Sequence, residues 1–117
     1  MSYDVHIAVK VEGVDAYAVL YDLGNITWNV RELIKQSSGW EIKNEDQNGP
    51  LLPWIEMIQR GSQELRYHPQ RYKHLESPNG WGTVGGTLGF YETCLEGAKA
   101  WIEENEELLS AAVIYVD

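Results

Sequence analysis

Residues 3–11 alternate without a break: Tyr3, Val5, Ile7, Val9 and Val11 take one face, and Asp4, His6, Ala8 and Lys10 take the other. A period of two predicts a strand half-buried against a core. "EGVD" reads as a turn and "AYAVLYDL" as a second strand, which makes a hairpin. The period then changes. Val30, Leu33, Ile34 and Ser37 form a short helical stripe, with Asn29 and Glu32 spaced as a capping box and Gly39 at the closing position. "EIKNEDQNGP" reads as a polar loop. A second helix follows in "LLPWIEMIQRGSQEL", with Pro53 in its first turn and Leu52, Ile55, Ile58, Ser62 and Leu65 at helical spacing. Pro69 ends it or bends it.

The best supported helix comes next. Val84, Leu88, Tyr91, Leu95, Ala98 and Ile102 recur at steps of four and three, which predicts a helix from about residue 83 to 107. "AAVIYV" at 111–116 reads as a closing strand. The order ββαααβ over 1–117 predicts a single α+β domain, in which an antiparallel sheet of the hairpin plus the C-terminal strand is packed by about three helices.

"PNGWGTVGGTLGFY" (78–91) contains G-x-G-x-x-G at Gly80, Gly82 and Gly85. A dinucleotide fingerprint needs a strand before it and an acid about 20 residues later. Here the preceding "QRYKHLESPN" is polar and proline-broken, and Glu103 and Glu104 fall inside the predicted helix. That reading fails, and without G-K-[ST] so does a P-loop. Gly82, Gly86, Gly89, Thr93, Gly97 and Ala100 nonetheless share one helical face. Either another backbone packs there, or a ligand or partner approaches the bare helix start, where an anion is favoured.

Composition narrows the function. A chain of 117 residues that is 44% hydrophobic and 23% charged is long enough for a core without disulfides or metals. Its net charge of −9 disfavours direct nucleic-acid binding and anionic membranes. Cys94 is the one cysteine, so no internal disulfide forms, and it reads as a buried structural thiol. The alternating N-terminus is unlike a signal peptide, and no apolar run is long enough to span a bilayer, so a cytoplasmic location is expected. His68 and His74 are not spaced with thiols as a metal site, and no acid pair or Ser/His/Asp set stands out. No cofactor, metal or catalytic residue is assigned.

The charge is uneven. Arg60, Arg66, Arg71 and Lys73 cluster within 60–73, whereas 92–107 carries Glu92, Glu96, Glu103, Glu104, Glu106 and Glu107 against Lys99. Cations interleaved with Tyr72 and Trp81 can grip phosphate and stack a base. The expected site therefore uses Arg66, Arg71 and Lys73 for charge, and Tyr72 and Trp81 for stacking. Gly82 and Thr83 supply close contacts. Asn25, Thr27 and Asn29 line the corner, with Trp28 among them.

"SYD" at the first strand, "NITWN" before a helix, "LPWIEMI" opening the middle helix and "NGWGT" opening the last resemble a group of small bacteriophage and prophage proteins. The resemblance spans most of the chain as an order of elements. It implies an accessory viral product acting inside a bacterial cell, a class that often blunts host defences. It brings no catalytic residues with it. The expected function is a non-enzymatic counter-defence protein that sequesters a small anionic, nucleotide-like ligand. The alternative is an acidic antagonist that occludes a host defence or DNA-binding protein. A homo-oligomer is compatible with the exposed sheet edge and the several Trp.

Overall fold

The computed structural model describes residues 1–117. Strands β1 (Ser2–Lys10) and β2 (Tyr17–Thr27) form the hairpin. Helix α1 (Arg31–Ser38), strand β3 (Asp46–Pro50), helices α2 (Leu51–Tyr67) and α3 (Val84–Glu104) and strand β4 (Val113–Val116) follow. The sheet is antiparallel, in the order β2-β1-β4-β3. The α+β class, the hairpin, the three helices and the closing strand are as the periodicity predicts.

One strand is added. The segment expected to be a polar loop contains β3, which pairs Asp46 with Val116 and Gln47 with Tyr115. Its sequence, DQNGP, has no apolar alternation because it is an edge strand held by backbone pairing. Asn48 braces it: its amide donates to the carbonyls of Lys43 and Asp46, and its oxygen accepts from the Trp40 indole.

Tyr3, Val5 and Ile7 point into the core with Ile114 and Val116. Val11 lies beyond β1 and is exposed. Ala8 is buried on the opposite face, where Tyr17 and Tyr115, from the two strands flanking β1, bring their rings within 5.7 Å of each other across it. Leu20 and Leu23 are extra residues in β2, inserted where the pairing with β1 shifts.

The expected capping box does not form. A 3-10 turn at Trp28–Val30 precedes α1, the Thr27 hydroxyl accepts from Asn29 N–H at 3.4 Å, and Glu32 bonds Gln36 instead. Gly39 closes α1 as expected, with a positive φ of 84°.

The apolar stripes of α2 and α3 keep part of their expected phase, since Ile58, Ser62 and Leu65 and then Val84, Tyr91 and Ala98 are buried as expected, but the buried face is wider and shifted. Leu51, Trp54, Ile58 and Leu65 bury on α2, and Val84, Thr87, Tyr91, Cys94, Ala98 and Trp101 bury on α3. Leu52 and Ile55, with Leu88, Leu95 and Ile102, sit at the margin instead. The three helices meet at Gly61, where a Cβ would come within 2.7 Å of the Tyr91 ring and 2.9 Å of Ser38 Cβ. Helix α3 stops at Glu104, short of the expected 107, and 106–111 form a 3-10 turn. No helix is long and apolar enough to cross a membrane.

Candidate functional site

The predicted ligand residues divide between several places. At the corner where β2 enters α1, Thr27 and Val30 face Gly80, Trp81, Gly82 and Thr83 across a cleft of about 190 Å³. The Asn29 side-chain amide donates to the Trp81 carbonyl at 2.9 Å and ties the two segments together. Gly82 has φ 146°, and a Cβ there would come within 2.7 Å of Val30, so this close approach needs glycine. Trp81 is 71% exposed and open to a ligand. Trp28 lies beside Tyr3, with ring centroids 5.6 Å apart.

Asn25 points elsewhere. Its amide donates to Ser2 Oγ and Asp4 Oδ1, on the sheet face away from the helices. There it lines a second cleft with Asp4, His6 and Asp22. Its expected role in orienting a ligand at the corner is therefore corrected.

Each expected phosphate-neutralising cation already has a carboxylate partner. Arg66 meets Glu92 at 2.6 Å, Arg71 lies 3.8 Å from Glu64, and Lys73 lies 3.6 Å from Glu76. Glu92 stands about 120° around α3 from Gly86, so Arg66 is on the α2 side of that helix rather than at the corner. Tyr72 is buried, at 8% exposure, and its hydroxyl donates to Glu64. Burial first, then that bond, raises its phenol pKa. Its ring is a core element, which corrects the expected stacking role.

The start of α3 is also occupied from within. Glu76 Oε2 accepts from Val84 N–H at 2.8 Å, and Thr83 Oγ1 accepts from Gly86 N–H at 2.9 Å. A carboxylate thus sits where an external anion would be favoured. The glycine face beyond is mixed. Gly97 packs against Tyr21 and Leu23, whereas Gly85 and Gly89 face open space.

A second candidate arises from the stripe residues left outside the core. Leu52 and Ile55 on α2 and Leu95 and Ile102 on α3 floor a groove of about 450 Å³, bordered by Gln59, Glu96, Lys99 and Glu103. The helices run antiparallel, since Arg66 near the end of α2 reaches Glu92 while Leu52 at its start lies by Ile102. Glu96, Lys99 and Glu103 take no part in any salt bridge within the chain. Glu104, Glu106 and Glu107, further along the chain, are also exposed. Composition had pointed to the acidic end; the apolar floor beside it emerges only once the helices are in phase.

Two chemical groups are set apart from both places. Cys94 is fully buried, and burial pushes its thiol up to about 12. His6 lies between Asp22 and Asp117, at 2.5 and 2.8 Å. With both ring nitrogens engaged, it offers no free base. No group of three or more His, Cys, Asp or Glu is placed to hold a metal ion. No family model matches the chain, and no curated protein or solved structure matches it.

Proposed function

We propose that the protein is a non-enzymatic antagonist that binds and occludes a basic partner protein through the groove between α2 and α3. The carrying observation is the pairing of an apolar floor with unpaired carboxylates at Glu96 and Glu103. An apolar floor supplies affinity, and a charged border supplies steering and choice of partner. Taken with the resemblance, the work is that of a phage accessory protein acting in the cytoplasm of a bacterial host, on a defence or DNA-binding factor. The test is capture of basic host proteins by wild type and by a Glu96→Lys, Glu103→Lys double variant. The variant should lose capture by about tenfold or more and flatten its salt dependence. Undiminished capture by a folded variant overturns the reading.

A second reading keeps a small anionic, nucleotide-like ligand at the corner. The exposed Trp81 ring above a cleft walled by Gly80 and Gly82 favours it. Adenosine monophosphate should then quench Trp81 fluorescence, and Lys73→Glu, which changes the cation beside Glu76 at the start of α3, should weaken the quenching without unfolding the domain. Quenching that survives Trp81→Ala, or wild-type affinity in Lys73→Glu, sinks that reading.

A further inference from the structure

Resting on the reading that the α2/α3 face binds the partner, we infer that the element entering the groove is a single amphipathic α-helix with basic flanks. Backbone accounting decides the conformation. Both walls are α-helices whose own N–H and C=O groups are bonded internally. An extended segment laid on the apolar floor would lose water from its backbone and find no ladder to replace it. Strand addition needs a sheet edge, and no strand residue lines this groove. A helix satisfies its own backbone and presents only side chains.

The dimensions agree. Leu95 and Ile102 are two turns apart on α3, about 10.5 Å along its axis, and Leu52 and Ile55 are one turn apart on the facing wall. Such a floor takes anchors at i, i+3 or i+4, and i+7 of a helix lying in the furrow between two others. The border sets its charge. Glu96 and Glu103 are likewise two turns apart, with Lys99 between them. A partner helix along α3 therefore matches best with Lys or Arg at positions seven apart and an uncharged or acidic residue between.

Selection of a displayed library of random peptides of about 14 residues on the immobilised protein tests this. Enriched peptides should carry apolar residues at helical spacing with basic flanks, and should gain helical circular dichroism on binding. They should bind about tenfold more weakly to Leu52→Asp, a change at a half-exposed side chain. Peptides with apolar residues spaced by two, peptides that tolerate a central proline, binding indifferent to Leu52→Asp, or no enrichment at all overturn the inference. The Glu96→Lys, Glu103→Lys variant separates the two failures. If it loses basic host proteins while no helical peptide is enriched on wild type, the binding face stands and the helix does not. If it keeps them, the face itself is wrong.

Discussion

The carboxylate of Glu76 accepts the backbone N–H of Val84 at 2.8 Å, and so closes the start of α3 with the chain's own negative charge. Lys73 lies 3.6 Å from the same carboxylate. Glu76→Ala should lower stability by about 1 kcal/mol, through loss of a charge-assisted bond at a helix N-terminus. It should also leave Lys73 and the freed Val84 N–H able to take an anion. Thermal unfolding with and without inorganic phosphate checks both effects. Equal phosphate stabilisation of wild type and variant would mean that Glu76 does not fill the anion position.

Gly61 and Gly89 make opposite predictions. Gly61→Ala drives a methyl into the Tyr91 ring and Ser38 and should cost about 1–3 kcal/mol. Gly89→Ala meets open space in a helix interior and should stabilise by about 0.5–1 kcal/mol. Denaturant midpoints decide. A destabilised Gly89→Ala would show that this bare patch is in contact after all.

The histidine clasp on the open sheet face predicts a pH dependence. Burial pulls the His6 pKa down, but its bonds to Asp117 and Asp22 outweigh this and hold it above the ordinary histidine value. A raised folded pKa means the native state binds the proton more tightly than the unfolded chain. The stabilisation is complete below about pH 6.5 and is lost as pH rises through the folded value. The stability gap between wild type and His6→Gln, measured by urea unfolding from pH 5 to 9, should therefore shrink with rising pH. A constant gap would remove the clasp's electrostatic role.

Cys94 should resist thiol reagents in the native state, being fully buried with a pKa of about 12. Its modification rate should follow unfolding and rise with denaturant. Rapid labelling of the folded protein would contradict its placement beneath β2.

The class, the hairpin, the helix order and the closing strand were legible because each bears a clear period or a capping residue. The helical phase was legible only in part: Ile58, Leu65, Tyr91 and Ala98 are core as expected, but several of their stripe-mates are not. Leu52 and Ile55 compete with Leu51 and Trp54 for the core, and Leu95 and Ile102 compete with Cys94 and Trp101. With apolar residues over so wide an arc, spacing alone cannot tell floor from margin. The docked partner helix decides, and the losing residues become the groove. Leu51→Asp should therefore unfold the domain while Leu52→Asp leaves its melting temperature nearly unchanged, since the first is fully buried and the second 49% exposed. The β3 strand was illegible for another reason: an edge held by backbone pairing needs no apolar alternation. The corner of Thr27, Asn29, Trp81, Gly82 and Thr83 was legible as a meeting place. Asn25, Arg66 and Tyr72 were not excluded from it, because their partners Asp4, Glu92 and Glu64 lie far away in sequence or offer no recognisable spacing.

The sheet order has a kinetic consequence. Strand β4 lies between β1 and β3, and the His6–Asp117 bond joins residues 111 positions apart. The β1–β2 hairpin closes across a short turn, but the strand that completes the middle of the sheet must be brought back from the far end of the sequence. That closure loses chain entropy before its contacts form. Refolding should accordingly be limited by docking of β4, long after the hairpin and helices can form. A Val116→Ala substitution should therefore slow folding, whereas a change confined to faster unfolding would mean that β4 docks after the rate-limiting step and would overturn this order.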